Sequence, residues 1–187
     1  MSVAANHVGP WTVADLLNME EDRRYRYELL DGTLMMSPSP GFRHQRASRR
    51  LANLLETAAQ SVGAPVEIME AVNVELPSEL FIPDIAVVEA SVAAEDPTTC
   101  GPEAVWMVVE IVSPSTKHLD RRTKPIVYAE AGIDAYWRLE LEPTPTLIIS
   151  TLDKGVYTQQ TTAPAGTLTN ITNPFPLQID PGALTSP

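Results

Sequence analysis

The stretch Trp106-Met107-Val108-Val109-Glu110-Ile111-Val112 is a nearly continuous apolar run, closed by the breaker Ser113-Pro114-Ser115-Thr116. A run this short and this rich in β-branched residues reads as a central strand covered on both faces, which places it inside a layered sheet. One residue interrupts it. Glu110 carries a carboxylate into a position where an ionised group is costly unless it is paired, hydrogen-bonded or bound to a metal.

The flanking sequence supplies the rest of an α/β domain. Thr12 followed by Asp15 is suited to cap a short helix with Val13, Leu16 and Leu17 on its apolar side. Tyr25–Leu30 and Thr33–Met36 flank Asp31-Gly32, a hairpin-turn dipeptide. Leu51, Leu54, Leu55 and Ala58 recur at helical spacing within Phe42–Ser61, behind Arg43, Arg46, Arg49 and Arg50. The period then approaches two, predicting strands at Val66–Met69, Val72–Leu76 and Ile82–Val88. A helix is expected from about Asp120 to Ala131, ending at Gly132, and further strands at Ala135–Leu139, Leu147–Leu152 and Val156–Gln160. No linker-like break divides the pattern, so one domain over 1–187 is expected, with its core from about 12 to 160 and the Pro-, Thr- and Asn-rich segment 161–187 wrapping its surface.

Composition narrows the functional classes. At 187 residues and 44% hydrophobic content the chain supports one ordinary core, and its net charge of -11 gives no general attraction to polyanions. Binding to nucleic acid would have to rely on local charge. The lone Cys100 excludes an internal disulfide and a cysteine-based zinc site. The chain's start lacks a signal-like apolar stretch and no run approaches the roughly 20 apolar residues of a spanning helix, so a cytoplasmic protein without membrane association is expected.

A second carboxylate stands out beside Glu110. Asp84 follows Pro83 and leads directly into Ile85-Ala86-Val87-Val88. Two carboxylates converging on neighbouring strands repel each other, and a hard divalent cation such as Mg²⁺ or Mn²⁺ is the simplest compensation. The alternative is that each sits at a strand end and pairs with an arginine. Of the 13 basic side chains, Arg23, Arg24, Arg26, Arg43, Arg46, Arg49, Arg50, Lys117, Arg121, Arg122 and Lys124 fall in three short stretches. A basic rim around a carboxylate-bound metal suits a phosphodiester substrate. Arg43 to Arg50 read equally as the solvated face of an amphipathic helix.

Pro83-Asp84, Val109-Glu110-Ile111-Val112-Ser113-Pro114-Ser115-Thr116, Asp120, Lys124, Tyr128, Gly132 and Tyr136-Trp137, in that order, resemble the Uma family of restriction endonucleases within the PD-(D/E)xK nuclease superfamily. Tyr27-Glu28-Leu29-Leu30-Asp31-Gly32 and His44 match the same pattern, and the resemblance spans roughly Thr12 to Leu152. It implies a restriction-endonuclease-like mixed sheet flanked by helices, with Asp84, Glu110 and the Ile111 carbonyl as metal ligands. It also implies metal-dependent hydrolysis of DNA by a homodimer. Where the superfamily motif has lysine, two residues after the glutamate, this chain has Val112; Lys124 on the following helix takes the matching role, with Lys117 ranked second. Glu28 would be a third carboxylate holding metal-bound water or a second ion, or a strand residue paired with Arg23, Arg24 or Arg26. His44 would bind phosphate or act as an auxiliary acid, and Arg46, Arg49, Arg50, Lys117 and Arg121 would contact the substrate. Tyr128, Tyr136 and Trp137 are assigned to packing. Two other readings stay open: a nuclease fold serving as a binding or regulatory module without turnover, and a hydrolase of small phosphorylated molecules.

Overall fold

The structure is a computed structural model that describes residues 7–19 and 24–186. Residues 1–6, which carry part of the reading of the chain's start, and Arg23 lie outside the described residues. The capped helix α1 (Val13–Leu17) precedes the hairpin of β1 (Tyr25–Leu30) and β2 (Thr33–Pro38), and then the long helix α2 (Phe42–Ser61). Strands β3 (Val66–Glu70), β4 (Asn73–Glu75), β5 (Leu80–Phe81) and β6 (Ile85–Glu89) follow, then the short helix α3 (Ala90–Ala93) and β7 (Thr99–Cys100). Strand β8 (Val105–Val112), helix α4 (Lys124–Glu130) and strands β9 (Ala135–Glu140), β10 (Thr146–Asp153) and β11 (Val156–Pro164) come next. The chain closes with β12 (Thr169–Ile171), β13 (Leu177–Ile179) and α5 (Pro181–Thr185).

Strand β8 lies inside a mixed sheet ordered β11-β10-β9-β8-β6-β3. Its side chains alternate as a doubly covered strand requires. Met107, Val109 and Ile111 pack with Leu51 and Leu55 of α2, while Val108 faces Val74, Phe81, Tyr128 and Ile133 on the other side. Glu110 is two residues beyond Val108 and continues on that second face, between layers. The second layer is a sheet ordered β2-β1-β5-β4-β7. β8 and β9 are parallel, so the chain must cross back over the sheet between them, and the crossover carries α4.

Two of the expected elements change, and the hairpin turn does not. The strand expected over Ile82–Val88 is split, because Pro83 has no N–H for a ladder: β5 pairs in one sheet, β6 in the other, and Ile82-Pro83-Asp84 is the passage between them. The expected helix from Asp120 is not uniform. Leu119–Thr123 form a π-helical turn before α4 begins at Lys124, next to Pro125, which cannot donate to the helical ladder. The Asp31-Gly32 turn forms as expected, both residues adopting positive φ at 47° and 69°.

The segment after Thr161 does more than cover the surface. Ile171, Phe175, Ile179 and Leu184 are buried in the same cluster as Leu51, Leu55 and Trp137. Arg46 and Arg50 of α2 donate to main-chain carbonyls at its end, at 3.4 Å to Thr185 and at 2.8 Å to both Ala183 and Ser186. Phe175→Ala is therefore expected to cost about 3–5 kcal/mol in denaturant unfolding, the range for a large buried aromatic; a loss under about 1 kcal/mol, typical of a surface position, would show that the segment is a covering only.

Candidate active site

Asp84 and Glu110 meet because of the β6–β8 register. Ile85 pairs with Val109 in this antiparallel ladder, so one step further Asp84 stands opposite Glu110, on the same face. Both are buried and both line one cavity of about 180 Å³ at the junction of the two sheets. Lys124 reaches into that cavity from the crossover helix. Its Nζ donates to Glu110 Oε1 at 2.9 Å and to Glu28 Oε1 at 2.8 Å, and lies 3.8 Å from Asp120 Oδ1. Glu28 comes from β1 of the second sheet and is held by the Ile82 N–H at 2.8 Å. The sheet passage at Pro83 thus brings Asp84, Glu110, Glu28 and Lys124 together.

The remaining contacts set the electrostatics. Asp84 Oδ1 accepts from Arg26 at 2.6 Å and Oδ2 from the Ile111 N–H at 2.8 Å, with His44 Nε2 at 3.2 Å. Burial pushes the Asp84 carboxyl up, but His44, Arg26 and the Ile111 N–H together hold it below its usual range. Burial also dominates at Glu110 and, aided by Asp120, Asp84 and Glu28, raises its carboxyl well above the ordinary value despite Lys124. Asp120 is pushed up from 3.8 to about 6, first by burial and further by Asp84 and Glu28, against Lys124 and the Thr116 hydroxyl. Burial disfavours the Lys124 ammonium, yet Glu110, Glu28 and Asp120 more than offset it and keep it protonated.

These groups allow a charge count. Glu28, Asp84, Glu110 and Asp120 line the cavity with two permanent cations, Arg26 and Lys124, so the fully ionised cluster carries a surplus of two negative charges. That surplus equals the charge of one divalent cation, and burial together with the crowding of carboxylates favours proton uptake at Glu110 and Asp120. The available donors are hard oxygens. Glu110 Oε2 accepts no hydrogen bond among the described residues, and the Ile111 carbonyl accepts from His44 at 2.9 Å. Among the described residues no three His, Cys, Asp or Glu side chains cluster closely enough to hold a metal by themselves. Two carboxylates, a carbonyl and waters fit Mg²⁺, which dehydrates reluctantly and needs few protein ligands.

The other sequence-predicted residues fall in three places. His44 is at the site, with its Nε2 engaged by Ile111 and Asp84 and its Nδ1 buried without a partner among the described residues. Arg46 and Arg50 serve the C-terminal segment, and Arg49 is exposed on α2. Lys117 is exposed at the start of the crossover's helical stretch, and Arg121 clamps Glu140 with two bonds of 2.9 and 2.7 Å. None of Arg46, Arg49, Arg50, Lys117 and Arg121 lines the cavity. Arg26, Asp120, Tyr128 and Thr116 do work that the sequence reading did not assign. Tyr128 donates to Glu110 Oε1 at 3.0 Å and Thr116 to Asp120 Oδ2 at 2.5 Å. Two signals were present in the chain: Asp120 stands four residues before Lys124, within reach along one helical face, and Arg26 stands two before Glu28 on one strand face.

A sequence model of the Uma2 family, described as "Putative restriction endonuclease", matches residues 13–184. The chain belongs to the Uma2 family. Its fold is shared with a crystal structure from Anabaena variabilis described as "a putative nuclease belonging to DUF820", with a TM-score of 0.73 at 16% identity, covering 94% of this chain and 98% of that one. No curated protein matches the chain. Membership in the Uma2 family supports nuclease function in general, and no helix among the described residues is long and apolar enough to cross a membrane.

The electrostatics make a pH prediction for the metal-free protein. A carboxyl whose folded value lies above its unfolded one stabilises the fold below pH 3.8 and loses that contribution as pH rises through about 6. Asp120→Asn mimics the protonated acid, so in EDTA it should be more stable than wild type by about 3 kcal/mol at pH 8, with the difference falling below about 1 kcal/mol near pH 4. Denaturation curves across this range check it; a pH-independent offset would contradict it.

Proposed function

We propose that this chain is a metal-dependent endonuclease that hydrolyses phosphodiester bonds in DNA, with Asp84, Glu110 and the Ile111 carbonyl holding Mg²⁺ or Mn²⁺. The observation that carries the reading is the pairing of Asp84 with Glu110 across β6 and β8, with the Lys124 ammonium 2.9 Å from Glu110 in the same cavity. When bound, the divalent cation would supply polarisation of the scissile phosphate. The protein's own groups supply the rest. Lys124 stays protonated, so its role is to orient the attacking water and to stabilise charge developing on phosphate, not to remove a proton. Glu28 and Asp120 hold the ammonium in place from two sides, and Tyr128 orients Glu110. His44 fixes the Asp84 carboxylate and the Ile111 carbonyl relative to one another.

Family membership supports DNA as the substrate, the homodimer is carried over from the family resemblance, and the cytoplasmic setting rests on the sequence pattern alone. The charge of the α2 arginines is largely taken up within the fold, so contact with the phosphodiester is assigned to the cavity rim rather than to the basic helix. A titration with Mg²⁺ or Mn²⁺ on supercoiled and linear DNA tests the reading. Cleavage should require the metal and fall about 100-fold or more in both Glu110→Gln and Lys124→Gln, as when a charge-stabilising group is removed. Metal-dependent cleavage that survives Glu110→Gln would overturn the site, and no cleavage by the folded wild type would overturn the activity.

A further inference from the structure

Both oxygens of Asp84 are already engaged. Its Oδ2 is committed to the Ile111 N–H at 2.8 Å and to His44, both fixed by regular structure, while its Oδ1 accepts from Arg26 NH1 at 2.6 Å. A cation that binds Asp84 must therefore share or displace a partner, and Arg26 is the one able to move. Its side chain is 27% exposed and lines the cavity, two residues before Glu28 on the same face of β1. Among the described residues its guanidinium spends one of five N–H donors, on Asp84.

We propose that Arg26 is a movable counter-cation. It competes with the divalent cation for Asp84 Oδ1 and, once displaced, turns its planar fork to a non-bridging phosphate oxygen of the bound strand. This rests on the metal-dependent reading above. Two arguments select the exchange over passive pairing. A divalent cation and a guanidinium on the same carboxylate oxygen repel each other, so occupancy by one weakens the hold on the other. The displaced group stays in the cavity where a scissile phosphate would sit, and a guanidinium's parallel donors match phosphate geometry better than an ammonium does. Lys124, held by Glu28 and Glu110 and kept protonated between them, is the fixed cation of the site; Arg26 is the mobile one.

The test uses Arg26→Gln and Arg26→Met in the full chain, with folding confirmed by circular dichroism. Two readouts are taken without turnover: Mn²⁺ affinity from electron paramagnetic resonance of the free ion, and affinity for a DNA duplex in Ca²⁺ from fluorescence anisotropy. Both variants should bind Mn²⁺ about tenfold more tightly and the duplex about tenfold more weakly, the scale of one charge-assisted hydrogen bond in each case. Shifts of opposite sign are the signature, since a merely structural defect would weaken both. Unchanged or weakened Mn²⁺ binding in a folded variant would overturn the exchange. Wild type that binds no Mn²⁺ at all would instead overturn the metal-dependent reading, which separates the two failures.

Discussion

Two carboxylates face each other across β6 and β8, and their mutual repulsion must be answered by whatever surrounds them. Left alone in a low-dielectric layer, Asp84 and Glu110 would favour separation of the strands that carry them. The fold answers with cations brought from elsewhere in the chain: Arg26 from the hairpin sheet, Lys124 from the crossover helix. Both come from the layer opposite the α2 face. The second sheet is thus as necessary to the site as the strands bearing the acids, because it also supplies Glu28 and the Ile82 N–H that fixes it. Tyr128 and Phe81, packed edge to face at 5.4 Å between ring centroids, wall the ammonium in on the apolar side.

Local backbone breaks create this arrangement. Pro83 ends one strand and lets the chain change sheets, so Asp84 falls at the start of β6 with its side chain at the cavity. The π-helical turn at Leu119–Thr123 comes just before Pro125 and directs both Asp120 and Lys124 inward; π turns recur at functional sites because they re-aim side chains that a regular helix would send elsewhere. Among the described residues, Arg26 and Lys124 are the arginine and lysine side chains that the fold brings to the cavity. Much of the apparent basic helix, by contrast, is spent internally. Arg43 pairs with Glu142 and the Leu141 carbonyl, while Arg46 and Arg50 tie down the C-terminal segment.

The strands and long helix were legible because their periods are strong. Helix α2 spans Phe42–Ser61 as its leucine spacing predicts, and β8 is buried on both faces as its run of valines predicts. Glu110 was legible as an anomaly against that background, and Asp84 as a carboxylate leading into an apolar strand. What the chain did not reveal depends on long-range placement. Arg26 was read as a possible partner of Glu28, its neighbour in sequence, and instead pairs with Asp84, 58 residues away. Lys124 was assigned to the site by resemblance, since a helical lysine on its own looks solvent-exposed; only the parallel β8–β9 crossover explains why it is 2% exposed. The Pro- and Thr-rich composition of the C-terminal segment hid Phe175 and Ile179, whose burial comes from packing under α2 rather than from any local period.

On the proposed reading, the surplus negative charge of this cavity favours one divalent cation held between two strands. Anomalous diffraction from crystals soaked in Mn²⁺ measures this directly. A single anomalous peak is expected within coordination distance of a carboxylate oxygen of Asp84, a carboxylate oxygen of Glu110 and the Ile111 carbonyl. A saturated soak that leaves this position without a peak, or that places manganese only at acidic side chains on the outer surface, would contradict it.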